Sequence, residues 1–286
     1  MYYMLSLLSG LLISVMVLFN GMLAGQYGVH LSTAIIFFTG LLLIAAIVLA
    51  KRERPFGKRH SWFLYIGGAI GVLTIIFNNV AFGRISVSAL LALVLLGQSV
   101  SGLVIDQFGW LDMPKHPFKK QRVVGLLLTV AGIALMIDRF DAIPVLLSFS
   151  AGCTIVLSRT LNAKLGALTS VTISTFFNYL VGFTVSVPVF VAFSASGMDF
   201  AGLEISPNPM IYLGGFLGVC VIAISNIVVT KIPAFYLSLV LFIGQVFTGI
   251  IIDAIIARSF SIPILLGGIL VTVGLCVDLL LDRRNN

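Results

Sequence analysis

The sequence predicts an all-α integral membrane protein with ten transmembrane helices in two inverted five-helix repeats. Three observations carry this. The 286 residues are 59% hydrophobic and only 9% charged, whereas an average soluble domain is about 25% charged. Apolar runs of about 20 residues, enough to cross the hydrocarbon, alternate with short polar breaks. And one pattern of Gly, Asn, Gln and Asp is written twice. The runs are continuously apolar rather than alternating every second residue, which argues against a transmembrane barrel.

Taken in order, the spans fall at about residues 3–25, 29–50, 61–82, 86–108, 121–138, 143–163, 170–194, 209–229, 233–256 and 262–281. The first run has no basic lead and is long enough to span, so it reads as a helix rather than a cleaved signal. The longest break, 109–120, is a proline-interrupted basic loop. Trp62 and Trp110 fall at span ends, as interfacial aromatics do, and Pro233 falls at a helix start, where proline is tolerated.

Basic residues set the orientation. With the loop 51–60 in the cytoplasm, the cytoplasmic segments hold 14 of the 17 Lys and Arg. Arg159 and Lys164 are among them, and only Arg84, Arg139 and Arg258 lie outside. Both termini are then cytoplasmic, in a bacterial-type plasma membrane. The net charge of +7 therefore reads as membrane topology and not as a nucleic-acid surface. Cys153, Cys220 and Cys276 lie in apolar runs and read as small buried residues. The three histidines show no ligand-like spacing, so no metal and no cofactor is expected.

Residues 65–107 lie on 212–254 without a gap at an offset of 147, with fourteen of forty-three positions identical. The matches include Gly67/Gly214, Gly68/Gly215, Gly71/Gly218, Asn79/Asn226, Gly97/Gly244, Gln98/Gln245, Gly102/Gly249 and Asp106/Asp253. Apolar matches are common between membrane helices; matched Gly, Asn, Gln and Asp in register are not. The repeats are 1–140 and 141–286. Five helices is an odd number, so the second repeat enters from the opposite face. Such inverted repeats are typical of secondary transporters, with substrate near the midplane.

These residues resemble the drug/metabolite transporter superfamily, and within it the YdcZ-like family. The likeness rests on GG-x2-G, then Asn, then GQ-x3-G-x3-D, in both halves. Asn178 and Gly182 look like the family's Asn-x3-Gly; the first half has Ile36 and Gly40 there and departs at the Asn. The resemblance implies a transporter or exporter fold and no particular substrate.

Gln98 and Gln245 fall at the centres of their spans. They are read either as a polar lining of a substrate site or as interhelical hydrogen bonds. Asn79, Asn226 and Asn178 extend the candidate substrate-binding set, while Asn20 reads as structural. Asp106 and Asp253 lie about 12 Å further along their helices, eight residues at 1.5 Å. They read as coupling or gating groups, or as rim carboxylates that cap nearby groups. Gly67-x3-Gly71 and Gly214-x3-Gly218 read as close helix packing.

No charged residue falls near the centre of any predicted span, so the expected cargo is a small neutral or amphipathic metabolite or drug. A secondary transporter working by alternating access, a probable exporter in direction, is the leading expectation. A passive channel or facilitator, or a non-transporting membrane partner protein, is the alternative. An enzyme is not expected. The implied partners are a small-molecule substrate, the lipid bilayer and protons or another coupling ion. Homodimerisation is left open.

Overall fold

In the computed structural model, the described residues are 1–57, 60–108, 122–137, 140–194, 204–229, 234–258 and 261–283. Ten α-helices occur among them: α1 Tyr2–Tyr27, α2 Val29–Ala50, α3 Gly67–Ala81, α4 Val87–Phe108, α5 Arg122–Met136, α6 Ala142–Leu168, α7 Val171–Ser194, α8 Gly214–Val229, α9 Ala234–Ala257 and α10 Ile262–Arg283. Single 3-10 turns, Trp62–Ile66 and Pro209–Leu213, lead into α3 and α8. Among the described residues there is no strand beyond an isolated bridge between Phe82 and Ile85.

Seven helical segments are long and apolar enough to cross a membrane. Three shorter apolar helices, Val123–Met136, Pro209–Ile224 and Ile262–Val277, stand at the fifth, eighth and tenth predicted spans. Large apolar side chains remain exposed along the helices: Leu42, Leu127, Leu146 and Ile255 are each at least 56% exposed. A soluble monomer rarely shows so much apolar surface, whereas lipid covers it without cost.

The helices begin and end largely where the apolar runs do. Gly28 alone separates α1 from α2. Its φ of 76° lies in the left-handed region, which favours glycine. The sixth helix departs from expectation. It runs to Leu168, five residues past the predicted edge, and is capped by the Thr169 N–H donating to the Leu165 carbonyl. The predicted span stopped before Lys164, but Lys164 and Leu165 are good helix formers and the helix continues through them. Arg159 therefore sits nine residues from the end of its helix rather than four.

The chain divides into two compact units. One holds residues 1–15, 81–153 and 224–286, and the other holds 16–80 and 154–223. In the first, α5 packs on α10, and α4 on α9. Its core joins Leu93, Met136, Phe242, Val246, Ile250 and Val271. The α5–α10 seam is backbone to backbone: a Cβ on Gly132 would lie 2.7 Å from the Gly267 carbonyl, and one on Gly274 would lie 2.7 Å from that of Gly125. In the second unit, α2 packs on α7 around Phe37, Ile44, Val72, Tyr179 and Val219.

Candidate functional site

The first unit carries both glutamines. Gln98 and Gln245 stand beside the midpoints of α4 and α9. Each follows a glycine at which its helix crosses a neighbour. A Cβ on Gly97 would lie 3.1 Å from Gly152 Cα of α6, and one on Gly244 would lie 3.1 Å from Gly10 Cα of α1. Side chains larger than hydrogen would hold these backbones apart. Backbone groups are tied here too: Ser14 Oγ donates to the Gln245 carbonyl at 2.7 Å. The side chain of Gln245 is 5% exposed and Gln98 is half-buried. Among the described residues neither amide side chain has a hydrogen-bond partner.

Four residues beyond Gln245, α9 meets the start of α4. A Cβ on Gly249 would lie 2.9 Å from Ser88 Cα, so the glycine admits the first turn of α4. One helical turn on, the Asp253 carboxylate takes that turn's free N–H groups. Val87 N donates to Oδ1 at 2.6 Å; Ser88 N, at 2.9 Å, and the Ser88 hydroxyl donate to Oδ2. The first N–H groups of a helix have no partner within the helix, and the N-terminal dipole favours an anion. The G-x3-D motif is thus a close approach followed by a cap supplied by another helix. A cavity of about 330 Å³ opens beside it, lined in part by Ile85, Ser86, Val87, Asp253 and Ser261. The side chain of Asp106, which repeats this motif, lies outside the described residues.

The second unit carries the other amides. Asn178 of α7 accepts at Oδ1 from Asn162 Nδ2 of α6 at 2.8 Å. Around this pair, Ser158 Oγ donates to the Gly67 carbonyl at 2.8 Å, and Ser174 Oγ to the Asn162 carbonyl at 2.6 Å. Thr154 and Thr74 share a bond of 2.7 Å. Thr154, Ser158 and Asn162 are spaced four apart, one polar stripe down α6. Asn79 is 7% exposed and donates to Ser32 Oγ at 3.3 Å. The side chain of Asn226 lies outside the described residues.

Sequence reasoning missed Asn162. The signal was present at a different offset: FNGML at 19–23 lies on LNAKL at 161–165, placing Asn20 on Asn162 at 142. The two amides have matching surroundings. A Cβ on Gly67 would lie 3.0 Å from Asn162 Cγ, and one on Gly214 would lie 2.9 Å from Asn20 Cγ. Asn20 Oδ1 is buried with no partner among the described residues. The next glycines cross backbones: Gly68 meets Gly182 N at 2.8 Å, and Gly215 meets Gly40 N at 2.5 Å, measured from the Cβ each would carry. Phe37 seats against Gly182 and Tyr179 against Gly40. The two rings meet edge-on, 5.9 Å between centroids, and the Tyr179 hydroxyl donates to the Gly215 carbonyl at 3.3 Å. Asn178→Ala is expected to cost about 0.6–2 kcal/mol, the range for an interhelical side-chain bond in a membrane, read as a lowered unfolding midpoint in detergent.

The family described as "Putative inner membrane exporter, YdcZ" matches the chain twice, over residues 1–135 and 143–277. No curated protein matches. A crystal structure of a protein 14% identical in sequence superposes with a TM-score of 0.65, over 99% of this chain and 99% of its own. At that identity the likeness is one of fold.

Proposed function

Because this chain belongs to the YdcZ family of inner membrane exporters in the drug/metabolite transporter superfamily, we propose that it is a secondary transporter. It is a multi-pass membrane protein of transport. In this reading it moves a small amphipathic metabolite or drug outwards by alternating access, between two inverted five-helix repeats whose termini are cytoplasmic.

The reciprocal contacts support the repeat reading. The Gly97–Gly152 crossing recurs as Gly244–Gly10, Gly68–Gly182 as Gly215–Gly40, and Asn162 beside Gly67 as Asn20 beside Gly214. In each pair, every residue is replaced by its counterpart from the other half. A two-fold relation between halves produces this pattern, and it is what lets one site open to either face in turn.

The observation that carries the transport reading is the pair of glutamine amides at the helix midpoints, unspent on protein groups among the described residues. They are the substrate-facing groups of the proposal, together with Asn79 and Asn226. Asn178 takes part through its bond to Asn162. Asp253 gates in this reading by holding or releasing the start of α4, and Asp106 is its counterpart.

Thermal unfolding of the purified protein against a metabolite and drug panel tests the site. A ligand at 100 times its Kd stabilises by about 2.7 kcal/mol. Gln98→Ala is expected to fold with little change in its own midpoint and to lose that stabilisation. A large drop in the midpoint without ligand would make Gln98 a packing group instead.

A further inference from the structure

We propose that Arg159 is an anion-recognising group on the transport path, and that the carried molecule is amphipathic with a carboxylate or phosphate. The inference rests on the transporter reading and names its cargo more closely.

The position of Arg159 carries it. Helix α6 has 27 residues, and Arg159 is nine residues from its C-terminal end and four past its midpoint, about 13 Å and 6 Å along the axis. A second measure agrees. The adjacent Ser158 bonds the carbonyl of Gly67, and Gly67 follows the 3-10 turn that starts at Trp62. Trp62 is 76% exposed, as an aromatic at the membrane interface would be. Five residues of 3-10 turn rise about 10 Å. Arg159 is thus about two helical turns inside that level. Among the described residues it is the one charged side chain so far from both ends of its helix.

Its side chain keeps an accessible surface while lying deep among protein atoms, and among the described residues no group bonds or pairs with it. Its neighbours are spent: Thr154, Ser158 and Asn162 hold α3 and α7. The charges at the cytoplasmic end of α2 are spent as well, with Lys51 donating to Thr172 and Glu53 accepting from Ser170. An ionisable residue within a span is costly and commonly marks a substrate path.

The fold does not call for the charge. At the offset that places Asn20 on Asn162, Arg159 falls on Val17, which is 6% exposed and apolar. The packing is written twice and the cation once. A guanidinium is a planar fork of donors that matches a carboxylate or phosphate at two points. The expectation of a neutral or amphipathic cargo rested on the absence of a charge near the centre of any span, and α6, by running on to Leu168, brings Arg159 to within four residues of its midpoint.

The test uses the full chain in nanodiscs of phosphatidylcholine alone, with thermal unfolding as the readout. The probes are N-acyl aromatic amino acids and aryl phosphates, each beside its uncharged amide or ester. The anions are expected to raise the midpoint and the uncharged partners not to. Arg159→Gln and Arg159→Val should keep the midpoint without ligand and bind the anions about tenfold more weakly or worse, about 1.4 kcal/mol. Arg159→Lys should recover part of the effect.

Three results would overturn the proposal: no shift from any anion, equal shifts from anions and their neutral partners, or an anion preference that survives in Arg159→Gln. A midpoint that depends on Arg159 only when phosphatidylglycerol is added would also overturn it, assigning the guanidinium to lipid headgroups. Counterflow of a stabilising anion in proteoliposomes separates the two readings. Binding lost in Arg159→Gln without counterflow keeps the anion site and sinks the transporter. Counterflow of a neutral analogue alone does the reverse.

Discussion

Gly152→Leu is expected to unseat α6 from α4. A Cβ at position 152 would lie 2.8 Å from both Gln98 N and Gly97 Cα. Those are backbone atoms, so relief requires moving a helix rather than rotating a side chain. Overpacking of this kind costs about 1–3 kcal/mol, and more where backbones must part. The disturbance falls next to Gln98, so transport should fail along with stability. Gly25→Ala provides the contrast. No described atom lies within 4 Å of its Cβ, and alanine at a helical glycine gains about 0.5–1 kcal/mol. Unfolding midpoints of the two variants in one detergent make the comparison. Equal midpoints would show that the Gly97–Gly152 crossing does not hold the unit.

Asp253→Ala is expected to fray the start of α4. It removes the acceptors of two backbone N–H groups and one hydroxyl. Loss of an ordinary helix cap costs about 0.5–2 kcal/mol, and a charged acceptor makes stronger bonds than a neutral one. A loss near 2 kcal/mol follows. Asp253→Asn keeps an acceptor oxygen and should recover part of it. Hydrogen exchange at Val87 and Ser88 reads the fraying directly. Faster exchange there, with the α5–α10 seam unchanged, is the expected result. A proton-coupling role alone would leave exchange at Val87 unaltered in the Asn variant and abolish pH-dependent flux.

Much of this was legible in the sequence, for a physical reason. Helices in lipid must be apolar for about 20 residues, so their places show in composition. Polar residues there are costly, so the matched Gln98 and Gln245 stood out. What each motif does was less legible. GQ reads as one polar signal in sequence. In the structure it divides into a glycine where backbones cross and a glutamine beside it. G-x3-D divides likewise into an approach and a cap, and nothing in α9 alone says that its carboxylate serves the start of α4.

Two features stayed hidden because a register or a boundary shifted. Asn162 and Asn20 match at an offset of 142, while α3 and α8 match at 147. Connections between helices differ in length, and a gapless comparison cannot follow the change. Arg159 was counted with the cytoplasmic charges because the span was ended at 163, four residues beyond it. A helix ends where its backbone stops bonding, and α6 continues to Leu168.

The central claim is that the glutamine level opens to either side of the membrane in turn. A single cysteine at position 245, in a chain with Cys153, Cys220 and Cys276 replaced by alanine, tests this most directly. Gln245 is 5% exposed in this conformation, so labelling reports a change of state. A membrane-impermeant maleimide should modify Gln245→Cys both in sealed right-side-out vesicles and in inverted ones. Labelling from one side only, or from neither, would contradict alternating access.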